Sequence, residues 1–197
     1  MTVATARTAF TAAVLVALAA ALNACVPVAI GVGVAATASV ATDRRTTGTQ
    51  VDDEVIEDRA SVAIHDRFKG DAFHINVTSY NGIVLLTGEV PAEQAKTDIE
   101  QIVRSNPKVR AIQDELVVGP ATDLGSRSND TLITSKVKAR FVESNKFQIN
   151  HVKVVTERGV VYLMGIVTRQ EGDAAAQIAS TTEGVQRVVK VFEYIAG

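Results

Sequence analysis

The residue types that most often carry out chemistry are few in this chain and lie far apart. It has three histidines, His65, His74 and His151, and a single cysteine, Cys25. We find no Ser/His/Asp order that suits a nucleophile, no glycine-rich phosphate loop and no Cys/His cluster with metal-ligand spacing. Because an enzyme needs groups that converge, the sequence predicts no catalytic residue, no metal site, no cofactor and no small-molecule substrate.

The histidines and the main carboxylate run fit structural roles. His74 and His151 begin two similar segments, so we expect a shared structural role at the start of a strand rather than metal binding. His65 falls on the polar side of a predicted helix, where we expect it to be solvated. The run Asp52-Asp53-Glu54 is interpreted as charge near a helix N-terminus, since it lacks the alternating ligands and central glycine of a calcium loop.

The overall charge argues against nucleic acid as the main partner. The formal net charge is -2, and no excess of basic residues exists to neutralise phosphates. Hydrophobic residues make up 47% of the chain, which is typical of a globular protein rather than a disordered one.

The N-terminus has the pattern of an export signal. Residues 1–8 contain one Arg and no acid, and residues 9–22 are apolar apart from one Thr. We therefore predict a signal peptide over residues 1–24. The apolar run 9–22 is short for a membrane-spanning helix.

The segment Leu22-Asn23-Ala24-Cys25 resembles the bacterial lipobox. That resemblance implies that Cys25 becomes a lipidated first residue with three acyl chains, palmitate among them, which is more than stable anchoring requires. Val26 follows where inner-membrane lipoproteins of the enteric type carry Asp, so the resemblance implies the outer membrane.

Residues 25–50 are predicted to be the lipidated Cys followed by a tether and linker. Pro27, Gly31 and Gly33 disfavour a regular helix in the apolar part, residues 26–42. The alternative is that residues 26–42 form a second segment inserted in the membrane.

The most informative feature of the chain is an internal repeat. Residues 74–88 read HINVTSYNGIVLLTG and residues 151–165 read HVKVVTERGVVYLMG. Upstream, Arg67-Phe68 matches Arg140-Phe141. We predict two units, residues 51–118 and 129–197, joined by a Gly/Pro/Ser-rich linker over residues 119–128.

The residue pattern of each unit predicts the order α-β-β-α-β. Apolar residues recur every four positions in the first helix of each unit, namely Ile56, Ala60, Ile64 and Phe68 in the first and Ile133, Val137 and Phe141 in the second. Asn81-Gly82 is a favoured hairpin turn, and Ile83 to Leu86 is apolar throughout, as in a central strand with both faces covered. The strand–helix–strand crossover makes the last two strands parallel.

The second helices carry their own signals. Pro91 suits a first helical position, and Ala95, Ile99 and Ile102 should form the buried face. Thr168 to Glu171 reads as a capping box. The predicted fold class is therefore α+β, an α/β sandwich made of two tandem modules, each a three-stranded mixed sheet with helices packed on one face.

These segments resemble the BON domain. The resemblance is carried by the α-β-β-α-β order, by the first helix ending in Arg-Phe and by INVTSYNGIVLLTG over residues 75–88. Together with the lipobox, the stretches GTQVDD (48–53), SNDTLITSKV (128–137) and VYLMGIVT (161–168) resemble the dual BON-domain outer-membrane lipoproteins, a division- and stress-associated lipid-binding type.

The first helix of the second unit holds the candidate binding residues. If Ile133, Val137 and Phe141 face the sheet, the remaining face mixes cations with exposed apolar side chains, which is typical of a surface that meets anionic lipid headgroups. The candidates are Leu132, Lys136, Lys138, Ala139, Arg140 and Val142. Leu132 departs from relatives that carry Trp there, a residue that favours the membrane interface.

The resemblance implies a non-enzymatic protein on the periplasmic face of the outer membrane. Such a protein would bind anionic phospholipid, phosphatidylglycerol for example, through its second BON domain and maintain envelope integrity, including at division sites. The alternative is a periplasmic interaction module, in which sheet edges or the acidic first helix of the first unit dock an outer-membrane assembly protein.

Overall fold

The computed structural model describes residues 43–70 and 72–197, which form two repeats of one α-β-β-α-β order. Repeat 1 comprises α1 (Thr47–Arg67), β1 (His74–Tyr80), β2 (Ile83–Val90), α2 (Glu93–Arg104) and β3 (Ala111–Val118). Repeat 2 comprises α3 (Leu124–Ser144), β4 (Val152–Glu157), β5 (Val160–Thr168), α4 (Arg169–Ser180) and β6 (Arg187–Ile195). The predicted fold class is confirmed, whereas the predicted signal peptide, Cys25 and residues 26–42 lie outside the described part of the chain.

Each repeat contains a three-stranded mixed sheet. β2 is central, antiparallel to β1 and parallel to β3, and β5 has the same place between β4 and β6. The hairpin turn of repeat 1 puts Asn81 at φ 53 and Gly82 at φ 73, and that of repeat 2 puts Arg158 at φ 51 and Gly159 at φ 72. Both turns therefore use two left-handed residues, the geometry that matches the twist of the flanking strands.

The helices pack on one face of each sheet, as predicted. In repeat 1 the stripe Ile56, Ala60 and Ile64 lies against β2 side chains that include Val84 and Leu86. In repeat 2 the corresponding core contains Ile133, Val137, Phe141, Val161 and Leu163. Within the described ranges no helix is both long enough and apolar enough to cross a membrane.

The opposite faces of the two sheets pack against each other. Tyr80 and Leu85 of repeat 1 share one buried cluster with Tyr162 and Met164 of repeat 2. Because successive residues of a strand point to opposite faces, Met164 lies between the sheets while its neighbour Leu163 faces the helices. The second repeat's sheet therefore covers the face of β2 that the helices leave open, and the order of layers is helix, sheet, sheet, helix.

Polar contacts surround this apolar layer. Lys153 Nζ donates to Glu57 Oε1 at 2.7 Å, and Asn76 Nδ2 donates to Glu157 Oε2 at 2.8 Å. Both bonds join the two repeats and, with the apolar cluster, fix how the sheets lie on each other.

Residues 43–46, which we call the entry segment, contact both repeats before α1 begins. Arg44 donates to Ile166 O at 2.8 Å and to both carboxylate oxygens of Glu171 at 2.7 and 3.0 Å, all in repeat 2. Arg45 pairs with Asp53 at 2.9 Å, and its guanidinium lies 3.9 Å from the centre of the Tyr80 ring. The chain thus enters repeat 1 across a contact with repeat 2.

Two helices begin earlier than the sequence indicated. α3 begins at Leu124, inside the predicted linker 119–128, because the Asp123 side chain caps it by accepting from Ser126 N. α1 begins at Thr47, capped by Thr46, within the segment predicted as tether and linker. Gly125 and Ser126 look like linker residues, but a capping Asp outweighs their weak helix propensity.

The second helices require two smaller corrections. Pro91 precedes the N-cap residue, Ala92, so its predicted place at the first helical position is wrong. Val103 rather than Ile102 completes the fully buried face with Ala95 and Ile99. The capping box of α4 is confirmed, since Thr168 accepts from Glu171 N and Glu171 accepts from Thr168 N.

The match between the first helices is also corrected. Both ends of α3 lie 77 positions after the ends of α1, the same spacing as that between residues 74–88 and residues 151–165. Pairing Arg67-Phe68 with Arg140-Phe141 implies a spacing of 73. This is four residues, or about one helical turn, less than the spacing of 77 that the structure shows. A shift of four residues keeps the apolar stripe on the same face, so periodicity alone does not reveal the error.

Candidate functional site

The outward face of α3 combines exposed apolar side chains with cations. Leu132 is 61% exposed and Val142 is 63% exposed. Lys138 is exposed and makes no hydrogen bond or ion pair with any residue that the structure describes, and Ala139 is also exposed. We call this surface, with Lys136 at its edge, the α3 face. It is not covered by any described element, so its side chains are free to meet a surface.

Lys136 has a partner, but a weakly held one. Its Nζ donates to Glu183 Oε2 at 2.8 Å, and both side chains are largely in solvent. The hydrogen bond from Lys136 lowers the pKa of Glu183 below its usual value. Such exposed ion pairs contribute little to stability, so Lys136 can exchange Glu183 for another anion.

Arg140 has a different environment from the other candidates. Its guanidinium donates to Ile178 O at 3.0 Å, to Thr182 Oγ1 at 2.8 Å and to Thr181 Oγ1 at 3.1 Å. These acceptors lie at the C-terminal end of α4, where a cation also complements the helix dipole. The structure therefore assigns Arg140 to packing α3 against α4, which sequence reasoning did not identify.

The matching surface of α1 carries a different charge pattern. With the spacing of 77, Lys136 corresponds to Arg59, Ala139 to Val62 and Ser135 to Asp58. Val62 is 62% exposed, so apolar exposure alone does not distinguish the two helices. The difference is the exposed Asp58, one helical turn before Val62, where α3 carries Ser135. This acid makes α1 the less suitable helix for an anionic surface, although the acid Asp66 has a counterpart on α3, Glu143.

The carboxylate run on α1 has a role that we did not predict. Asp53 is buried and accepts from Ser79 Oγ at 2.6 Å, Asn81 N at 2.7 Å and Gly82 N at 2.8 Å. In repeat 2, Asp130 accepts from Arg158 N and Gly159 N, both at 2.8 Å. The interpretation as N-terminal charge is wrong for Asp53, because α1 begins at Thr47. The sequence feature that could have indicated this role is that Asp53 and Asp130 occupy equivalent positions of the two repeats.

His74 and His151 share a backbone feature but not a side-chain partner. A Cβ added to Gly88 would lie 1.9 Å from His74 O, and one added to Gly165 would lie 2.2 Å from His151 O, so each histidine carbonyl approaches a strand glycine closely. The rings differ: His74 Nδ1 lies 3.2 Å from Glu89 Oε2, and His151 Nδ1 lies 3.3 Å from Glu171 Oε1. The shared role thus lies in the backbone. His65 is exposed, as expected.

Among the residues that the structure describes, one group of side chains has the types and spacing of metal ligands. His74, Glu89 and Glu157 each offer a ligand atom, and these atoms lie within 4.8 Å of one another. Glu157 belongs to repeat 2, so only the packing of the two sheets brings the group together. No pattern in the sequence indicated this group, because Glu89 and Glu157 are not equivalent positions of the repeat.

The chain matches known proteins along most of its length. The family model described as "BON domain" matches residues 52–120 and 129–196. The chain is 39% identical over 176 residues to "Outer membrane lipoprotein DolP" of Haemophilus influenzae, covering 88% of this chain and 90% of that protein.

Two further relatives match most of the chain. It is 36% identical over 154 residues to "21 kDa hemolysin" of Actinobacillus pleuropneumoniae, covering 78% of this chain and 79% of that one. It is 29% identical over 144 residues to "Osmotically-inducible protein Y" of Escherichia coli, covering 72% of each.

Proposed function

Because the chain belongs to the dual BON-domain lipoprotein family, we propose that it is a non-enzymatic outer-membrane lipoprotein that binds anionic phospholipid through the α3 face. The observation that carries the proposal is that α3 exposes two apolar side chains, Leu132 and Val142, together with Lys138, which pairs with none of the described residues. Cys25 provides the anchor on the periplasmic face, and the role is to maintain envelope integrity, including at division sites.

Charge and apolar contact would act together on this face. Each cation near an anionic membrane surface contributes about 1 kcal/mol, and Lys136 and Lys138 supply two. Leu132 and Val142 would enter the headgroup region, where burying apolar surface contributes about 25 cal/mol per Å². Neither contribution is large, so the α3 face is a recognition surface that relies on a separate anchor.

The anchor and the α3 face can act on the same membrane. The 17 residues 26–42 reach at most about 60 Å when fully extended. Lipidation would therefore keep repeat 2 close to the bilayer at high effective concentration, and a weak second contact would then suffice.

The test is co-sedimentation of residues 43–197, which contain both cores and the whole sheet interface, with vesicles. We expect binding to phosphatidylglycerol vesicles and none to phosphatidylcholine vesicles. Replacing Lys138 and Val142 together by Glu should reduce binding at least tenfold. Binding should also weaken as salt rises from about 0.1 to 1 M, because the Debye length falls from about 10 to 3 Å.

The matched control is the replacement of Arg59 and Val62 by Glu on α1. It changes one exposed cation and one equally exposed valine in the other repeat, so binding should stay within twofold of wild type. Equal binding to both kinds of vesicle, or equal loss in the two double variants, contradicts the proposal.

A second candidate is docking of an outer-membrane assembly protein by α1. The supporting observation is that Val51 and Val62 are exposed on a helix that also presents Asp58 and Asp66 to solvent. Under this proposal the Arg59 and Val62 double variant loses envelope function in cells, whatever the lipid composition, and the Lys138 and Val142 variant keeps it.

A further inference from the structure

The cluster of His74, Glu89 and Glu157 is built from three strands of two sheets. His74 and Glu89 are cross-strand partners of β1 and β2, and Glu157 is the last residue of β4. The side chain of Glu89 is 0% exposed and that of Glu157 is 7% exposed. Two carboxylates in so dry a place must be compensated by charge or hydrogen bonds, because an uncompensated buried charge is costly.

Only one of the two carboxylate oxygens of Glu89 has hydrogen-bond partners in the protein. Its Oε2 accepts from Thr122 N at 3.0 Å and from Thr122 Oγ1 at 3.2 Å, and it lies 3.2 Å from His74 Nδ1. Its Oε1 is buried without a hydrogen-bond partner. The nearest cation to Oε1 is the Arg158 guanidinium at 3.8 Å, and that side chain is half exposed. Oε1 is therefore directed toward repeat 2 without a direct donor.

Glu157 competes with Glu89 for the same imidazole. Its Oε1 lies 3.6 Å from His74 Nδ1, and its Oε2 accepts from Asn76 Nδ2 at 2.8 Å. One ring nitrogen carries one proton and cannot donate to two carboxylates at once. The cluster thus has more negative charge than its donors satisfy.

The distances suit a tetrahedral metal ion. Zinc binds nitrogen and oxygen ligands at about 2.0–2.2 Å, which places neighbouring ligand atoms about 3.3–3.6 Å apart. The separations of His74 Nδ1 from Glu89 Oε2 and from Glu157 Oε1, 3.2 and 3.6 Å, already lie close to that range. All three ligand atoms lie within 4.8 Å of one another. A cavity of about 180 Å³ lies beside His74 and Glu157, with Arg127 and Asp130 also in its lining, and has room for a water as fourth ligand.

We propose that His74 Nδ1, Glu89 and Glu157 bind one divalent transition-metal ion, with Zn²⁺ preferred, and that the ion joins the two repeats. The imidazole favours zinc over calcium and magnesium, which prefer ligand sets made only of oxygen. The ion would lie between His74 Nδ1, Glu89 Oε2 and Glu157 Oε1 and would neutralise the charge of both carboxylates. Since ligands come from both sheets, binding would stabilise the interface as well as the site.

The test is calorimetric titration of the full, metal-stripped chain in detergent with ZnCl₂. We expect one saturable site per chain, with Mg²⁺ and Ca²⁺ at least tenfold weaker. Affinity should fall as pH decreases, because the ligands must be deprotonated. The variants Glu157→Gln and His74→Gln should each bind at least tenfold more weakly, while His65→Gln, which removes an exposed histidine, should bind as wild type does.

Two further measurements keep the result decisive if a variant is poorly folded. Circular dichroism checks the fold, and anomalous scattering at the zinc edge locates the ion in wild-type crystals. An ion found elsewhere, no saturable site, or unchanged affinity in a folded Glu157→Gln chain overturns the proposal. The Lys138 and Val142 double variant should keep full zinc affinity, so failure here is distinct from failure of lipid binding.

Discussion

Single aspartates connect each first helix to the hairpin that follows it. Asp130 accepts from Arg158 N and Gly159 N, the two left-handed residues of the turn between β4 and β5. Asp53 does the same in repeat 1 and also pairs with Arg45. A non-glycine residue such as Arg158 is uncommon at positive φ, and the two bonds from the turn to Asp130 compensate for that strain.

We expect Asp130→Ala to lower the free energy of unfolding by about 2–4 kcal/mol, because the buried Gly159 N–H and the partly buried Arg158 N–H lose their acceptor. Urea unfolding followed by circular dichroism measures it. Glu143→Ala, an exposed position on the same helix, should change stability by no more than about 0.5 kcal/mol. Equal effects of the two substitutions would show that Asp130 does not hold the turn.

At the scale of elements, α4 begins at a carboxylate that several groups share. Glu171 caps α4 and accepts from Arg44. Burial alone would raise its pKa, but the hydrogen bonds from Arg44 and Thr168 outweigh burial and lower the pKa to about 2. Because the folded-state pKa lies below the usual 4.5, this group stabilises the fold fully above pH 4.5 and loses that effect as pH falls toward about 2.

Arg44→Ala should therefore raise the pKa of Glu171 toward 4.5. We expect stability at pH 7 to fall by about 1 kcal/mol, since the pair is partly screened by solvent, and the loss of stability between pH 4.5 and 2 to become smaller. NMR titration of the Glu171 carboxyl and urea unfolding at pH 7 and pH 3 measure both effects. Arg59→Ala should change neither the pKa of Glu171 nor its effect on stability. An unaltered Glu171 pKa in Arg44→Ala would refute the conclusion that Arg44 lowers it.

The elements also show where sequence reasoning succeeds. The stripe Ile133, Val137 and Phe141, the parallel pairing of β5 with β6 and the Thr168 capping box follow from short-range patterns, and all three are confirmed. The pairing of Arg67 with Arg140 failed because a period of about one helical turn cannot distinguish registers four residues apart. Asp53 and Asp130, at the spacing of 77, give the correct register.

At the scale of the whole molecule, the two sheets share one buried layer. Each repeat alone has about the size at which an independent core is marginal, and Leu85 and Met164 are fully buried only because the sheets meet. We expect wild type to unfold in one calorimetric transition. Met164→Lys, which places a charge between the sheets, should lower the melting temperature and separate the two repeats into two transitions.

Val142→Lys is the control for that experiment. It adds the same charge on the exposed α3 face, so the single transition should persist near the wild-type temperature. Two transitions in wild type, or an unchanged melt in Met164→Lys, would mean that the repeats do not depend on their shared layer.

Packing between the repeats is the part of the structure that the sequence did not predict. The apolar run in β2 indicated that both faces are covered, but many apolar faces satisfy that condition. The partner is set by contacts between residues such as Leu85 and Met164, far apart in the chain, for which no local pattern exists. The α3 face was predictable because one helix contains it, and the His74 cluster was not, because it needs both sheets.

The entry segment determines how the protein would carry a mechanical load. A pull on a tether that precedes residue 43 reaches Arg44 and Arg45 first, and these neighbours bond to Glu171 in repeat 2 and Asp53 in repeat 1. The force is thus divided between contacts with both repeats. Without Arg44 the same pull would reach α1 alone, through the contact between Arg45 and Asp53.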